Sequence, residues 1–153
     1  MSEIQTSQEA RASRQDCAIC DLRLASAGDS PVFASELWTA TLAWDVPGWI
    51  MVMLNRHSPD WLWGLSKQEA AELGPLMQRL SAAARDAAAA ERVYLMGFGE
   101  QWQHFHFMLL SRPSTAPPQL RGPGLLERAP ELADRGEALR IGSAMRNRLA
   151  ATT

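Results

Sequence analysis

The chain of 153 residues contains three histidines and two cysteines. Two of the histidines, His104 and His106, fall one residue apart in the run QHFHFM, and His57 follows Asn55-Arg56. Cys17 and Cys20 form a Cys-x-x-Cys pair, two thiolates within one turn, which is half of a common zinc site. In a reducing compartment such a pair points to a metal or redox site rather than a structural disulfide. The redox reading is the weaker one, because Ala18-Ile19 separates the cysteines and no βαβ pattern surrounds them. A closed structural site takes four ligands. Cys17, Cys20, His57 and one of the paired histidines would supply them and leave one imidazole free for chemistry. The plain alternatives are two ordinary cysteines at a helix end, a capping histidine at 57 and two half-exposed strand histidines.

Those side chains need elements to place them. Side chains alternate along a strand, so in a strand over His104 to Ser111 the residues His104, His106 and Met108 share one face. Phe105, Phe107 and Leu109 then share the other, which should pack beneath a helix. Two earlier strands are expected, Leu37 to Ala43 and Trp49 to Asn55, the second a continuous apolar run. Asp45-Val46-Pro47-Gly48 between them has turn chemistry and predicts a hairpin. Ser66-Lys67-Gln68-Glu69 spells a capping box. It should open a long helix to about Ala89 with Leu73, Leu76, Met77 and Leu80 buried, kinked or split at Gly74-Pro75. Arg92 to Phe98 reads as another strand, antiparallel to the one carrying the histidines. A turn over 99 to 103 joins them. Residues 25 to 31 and 113 to 124 read as loops. Glu131 to Ala150 reads as a last helix with Leu139 and Leu149 buried, weakened by Gly136 and Gly142. The order predicts an α+β fold with an antiparallel sheet, one long helix and a C-terminal helix.

Composition narrows the function. The net charge is −2 and the pI about 5.9, which argues against nucleic acid or a membrane surface as partner. The sequence has no apolar run of membrane-spanning length and its first 30 residues lack a signal-peptide pattern. A cytoplasmic protein is expected. Residues 1–16 are expected to form a polar, flexible tail, 17–112 the principal domain, and 113–153 a loop and helix packing on that domain.

The set resembles the histidine-triad (HIT) family of nucleotide hydrolases and transferases. His104-Phe105-His106-Phe107-Met108-Leu109-Leu110-Ser111-Arg112 is similar to that family's His-φ-His-φ-His-φ-φ strand, which usually ends in Pro-Arg. ERVYLMGFGE before it, PGWIMVMLNRH at 47 to 57 and LSKQEAAELGPLMQRL after that resemble the family's other segments, so the likeness runs from about Cys17 to Arg112. It implies a HIT-like fold, zinc held by Cys17, Cys20, His57 and His104, and His106 as nucleophile. The implied reaction is attack on the α-phosphate of a dinucleoside polyphosphate, adenylate or phosphoramidate. A covalent nucleotidyl-histidine forms. The implied partners are a nucleotide-like small molecule and a second copy of the chain.

Gln101 and Gln103, just before the motif, could donate to phosphoryl oxygens. Asp45, Trp102 and Arg112 are the substrate-binding candidates, Asp45 for ribose hydroxyls and Trp102 for a flat base. The turn itself is sufficient reason for Asp45. Core packing explains most of Trp38, Trp44, Trp49, Trp61, Trp63 and Trp102, although Trp61 and Trp63 could line a pocket. Three departures from the family stand out. Met108 replaces the third histidine and cannot relay a proton. Ser111 replaces proline. Glu100 places a carboxylate where phosphate would be repelled. The departures leave two alternatives, the same fold recruited to a non-nucleotide substrate or a nucleotide-binding module without turnover.

Overall fold

The computed structural model describes residues 16–28 and 30–151; the expected tail over residues 1–15 lies outside them. The elements are α1 (Ala18–Gly28), β1 (Phe33–Ala34), β2 (Trp38–Leu42), β3 (Trp49–Leu54), a 3-10 turn (Leu62–Gly64), α2 (Lys67–Ala87), β4 (Ala90–Met96) and β5 (His106–Pro113). A second 3-10 turn (Pro118–Leu120), two one-turn helices, α3 (Gly124–Glu127) and α4 (Ala129–Leu132), and α5 (Arg135–Ala151) follow. The fold is α+β, with one five-stranded antiparallel sheet in the order β1-β2-β3-β5-β4.

β3 explains its own sequence. It lies between β2 and β5 and all six of its residues are buried, so WIMVML is apolar on both faces rather than alternating. Register divides the sheet. Val52 pairs with Ala40 and Phe107, and Ile50 pairs with Leu42 and Leu109. These residues face a core built with Leu73, Leu76 and Leu80 of α2 and Ile141, Met145 and Leu149 of α5. On the opposite face Met53 pairs with His106, and Met51 with Met108, which also pairs with Met96. That face joins Cys17, Cys20, Trp49 and Leu125 in a second cluster. The helices cover one side of the sheet and leave the histidine side to α1 and the C-terminal loops.

The capping box forms as expected. Ser66 Oγ accepts from the Glu69 N–H at 3.2 Å, and Glu69 Oε2 accepts from the Ser66 N–H at 2.7 Å. α2 then runs unbroken through Pro75, so the expected split does not occur. Packing of Leu73 and Leu76 on the sheet holds the helix across the lost donor. Leu139 is 51% exposed rather than buried. The buried stripe of α5 is Ala138, Ile141, Gly142, Met145 and Leu149, and Leu139 sits about 100° off it. Gly142 has a packing role, since a Cβ there would come within 2.9 Å of Leu42 Cδ2. It lets α5 approach β2 closely.

Several boundaries also differ, and the last helix begins at Arg135 rather than Glu131. The cysteine segment is helical through Gly28, although residues 25–28 read as loop. β4 begins two residues earlier than expected, at Ala90. β5 begins at His106, so His104 and Phe105 precede the strand.

Candidate functional site

Two backbone hydrogen bonds seat the segment before β5. The Leu54 N–H donates to the Phe105 carbonyl at 3.1 Å, and the Phe105 N–H donates to the Ser58 carbonyl at 3.1 Å. His104 is thereby locked between the end of β3 and the loop after it, and is 1% exposed. Its Nε2–H donates to the Leu54 carbonyl at 2.8 Å, which leaves Nδ1 as a lone pair. Nδ1 lies 3.3 Å from Cys17 Sγ and 3.3 Å from Cys20 Sγ. Cys17 stands just before α1 and Cys20 one turn later, both buried. His57 Nδ1 is 3.6 Å from Cys20 Sγ. The four ligand atoms all lie within 4.8 Å of one another.

The donor set fits a tetrahedral metal. With metal–sulfur and metal–nitrogen bonds of about 2.3 and 2.0 Å, tetrahedral angles place sulfur and nitrogen about 3.5 Å apart. The three separations between Cys17 or Cys20 and these rings given above fall within a few tenths of an ångström of that. The carbonyl of Leu54 supplies the outer contact that holds a ligating imidazole in one tautomer. Burial pushes His104 down to about 4, with its bond to the Leu54 carbonyl opposing. The ring is therefore neutral at pH 7, as a ligand must be.

His106 is arranged differently. Its Nδ1–H donates to the His104 carbonyl at 2.5 Å, so Nε2 carries the free lone pair. Burial lowers its pKa from the ordinary 6.5, with the same hydrogen bond working the other way. A neutral ring with one nitrogen tethered and the other open is the form a nucleophile needs. His106 lines a cavity of about 540 Å³. Met51, Met96 and Met108 form its floor, and α1 adds Ala18, Ile19 and Leu22. The loop from Gly97 to Trp102 forms a wall, with Trp44 and Leu126 closing it. Among the described residues no arginine or lysine lines it, and Glu100 is the charged residue that does.

The expected site residues divide accordingly. Met108, Gln101 and Trp102 border the cavity with His106. Gln103 borders a neighbouring cleft instead. Asp45 and Arg112 line neither. Asp45 lies in the β2–β3 turn, where its carboxylate meets Arg135 at 3.1 Å and its carbonyl accepts from the Asp134 N–H at 2.8 Å. Arg112 is buried, with Nη2 3.0 Å from Glu91 and Nη1 donating to the Pro113 carbonyl. Both bind parts of the fold together.

Trp38 and Trp49 are core, 1% and 0% exposed. Trp61 packs on Phe105 with centroids 5.0 Å apart and meets His106 edge-on at 6.3 Å. Sequence reasoning missed Trp44, α1 and Leu126 as cavity walls. No local pattern marks them, because they arrive from opposite ends of the chain.

The five-stranded antiparallel sheet backed by a long capped helix and a C-terminal helix is the histidine-triad fold. Several solved structures share it. One is a hypothetical histidine triad nucleotide-binding protein from Sulfolobus tokodaii, 17% identical with a TM-score of 0.63, the match covering 88% of this chain and 93% of that one. Another is a zinc-bound histidine triad family protein from Mycobacterium smegmatis, 21% identical with a TM-score of 0.60, covering 92% and 97%. A uridylyltransferase mutant matches at 21% identity and a TM-score of 0.61, covering 95% of this chain and 52% of that longer one. No protein-family model matches the sequence, and no curated protein matches it.

Proposed function

We propose that this protein is a zinc-containing nucleotidyl hydrolase or transferase in which His106 is the nucleophile. The observation that carries the reading is the tethered ring. Its Nδ1–H is held by the His104 carbonyl, and its remaining nitrogen belongs to a side chain lining the cavity. Zinc, bound by Cys17, Cys20, His57 and His104, would serve as a structural pin that keeps His104 in place. Through its carbonyl His104 then orients His106.

In the proposed reaction the Nε2 lone pair of His106 attacks the α-phosphorus. The phosphorus–nitrogen bond forms, the bond to the leaving group breaks, and the electron pair departs with that group. Water or another acceptor later attacks phosphorus and releases the imidazole. Gln101 is a lining side chain able to donate to the phosphoryl oxygens. Met108 offers no proton to the leaving group. Loss of such help typically costs about 10²–10⁴-fold, so the favoured substrates are those whose leaving group departs as a stable anion.

The test is a rapid quench with adenylated compounds and dinucleoside polyphosphates, looking for a nucleotidyl adduct on His106. His106→Ala should abolish both adduct and turnover. Full activity in that variant would defeat the proposal.

A second reading rests on the cavity lining. Three methionines and two tryptophans, with no basic side chain among the described lining residues, suit an apolar ligand better than a polyphosphate. A recruited enzyme with a non-nucleotide substrate should be stabilised thermally by apolar metabolites and left unchanged by AMP or GMP. A binding module would take nucleotide without turnover.

A homodimer is also proposed. β4 is an edge strand with Leu95 55% exposed on it, and light scattering reads the mass directly. No helix among the described residues is long and apolar enough to cross a membrane. Cys17 and Cys20, read as thiolate ligands, fit the reducing cytoplasm proposed as its compartment.

A further inference from the structure

Behind the wall formed by the loop after β4 lies a second cleft, of about 500 Å³. Its lining combines four aromatic rings, Trp61, Trp63, Phe98 and Trp102, with two carboxylates, Asp60 and Glu100. Among the described residues no arginine or lysine lines it. Neither carboxylate has an ion-pair partner among the described residues. Arg56 feels the charge of Asp60, but its nitrogens are engaged elsewhere, with the Glu69 carboxylate at 2.7 and 2.8 Å and the Gly64 carbonyl at 2.8 Å.

The cleft is built rather than incidental. A Cβ at Gly64 would come within 2.2 Å of Asp60 Cβ, and one at Gly97 or Gly99 within 3.0 or 2.9 Å of the Trp61 ring. Glycine at these three positions lets the two walls close on each other and sets Asp60 and Trp61 in place. Trp63 stands at the mouth, 79% exposed. Exposing two large aromatic rings, Trp63 and Phe98, has a cost in water, and the neighbouring carboxylates supply a reason for it.

We propose that this cleft is a binding site for an organic cation, an alkylated or quaternary ammonium group. Ring faces attract a cation through their quadrupole, and flanking carboxylates add direct charge complementarity. Such a cation is too weakly hydrated to prefer water over a ring-lined cleft, whereas phosphate would be repelled by both carboxylates. Glu100, Trp102 and Phe98 line both this cleft and the cavity of His106, so occupancy here would bear on the shared wall. The site itself does not depend on the nucleotidyl reaction.

The probe is choline chloride, titrated into the metal-loaded full chain and followed by calorimetry and by the indole N–H signals of the tryptophans. Saturable binding is expected, with a dissociation constant below about 10 mM. The neutral isostere 3,3-dimethylbutan-1-ol should bind at least about 10-fold more weakly. Trp63→Ala and Asp60→Asn should each weaken choline by about 10-fold. Trp63 is exposed enough that its loss leaves the fold intact. His106→Ala, which lies in the other cavity, should leave choline binding unchanged, so this result and the fate of the nucleophile are read separately. No saturation, equal binding of the neutral isostere, or binding of adenosine at these rings in place of choline would overturn the assignment.

Discussion

Glu69→Ala should destabilise the protein by about 2–3 kcal/mol at neutral pH. The Glu69 side chain is 4% exposed and holds three donors at once. It accepts from the Ser66 N–H at 2.7 Å and from Arg56 Nε and Nη2 at 2.7 and 2.8 Å. The bond to the cap N–H is charge-assisted and buried on the acceptor side, worth about 1.5 kcal/mol. The pair with Arg56, whose side chain is 47% exposed, is discounted for solvent to about 1 kcal/mol. The pH dependence gives a second handle. Hydrogen bonding from Arg56 first, and then the Ser66 N–H, hold the carboxyl below its ordinary 4.5 against the opposing effect of burial. A group with a lowered folded pKa contributes fully above the unfolded value, and its contribution drains away as pH falls through the folded one. Urea denaturation of wild type and variant should therefore show the full gap at pH 7. At pH values below the folded pKa the gap should narrow by its charge-dependent share. A deficit below about 0.5 kcal/mol at pH 7 would refute the reasoning. So would a gap that stays constant into acid. Arg56 precedes His57, so the variant should also hold metal less tightly.

Three further outcomes are expected. Elemental analysis should find about one zinc per chain in wild type and well under half of that in Cys20→Ser, with a Tm lower by roughly 10 °C or more; a metal-free wild type purified with zinc present would show that the cage does not bind it. Met108→His should restore a proton donor on the cavity face and raise turnover of amine-leaving phosphoramidates by about 10²-fold in steady-state assays; unchanged rates would place the leaving-group proton elsewhere. Gly99→Ala should cost about 1–2 kcal/mol, because φ there is +66° and the new Cβ would lie 2.9 Å from Trp61. A calorimetric Tm within a degree of wild type would show that the loop does not rest on that ring.

Local patterns carried much of the fold and of the site. Alternation placed His106 and Met108 on one face of β5 and Phe107 and Leu109 on the other. The capping box marked the start of α2. The cysteine pair pointed to a Cys2His2 group with His57 and one of the paired histidines, the family resemblance singled out His104, and these four side chains stand together. These features are legible because each depends on short-range geometry, a period of two, a three-residue reach or a single turn.

The rest depended on which surfaces meet. Leu139 and Ile141 are both good candidates for a buried face, and only the angle at which α5 lies on the sheet chose Ile141. His104 belongs to the metal group from a position ahead of β5, set by backbone bonds to Leu54 and Ser58 rather than by the strand's own alternation. Asp45 and Arg112 carry the chemistry of substrate contacts, yet the fold spends them on Arg135 and Glu91. The cavity walls come from α1, the β2–β3 turn, the loop after β4 and α3. Residue types and periods within one segment are written in the chain. Which distant segment faces them is decided by packing, a property of pairs of surfaces that no single segment contains.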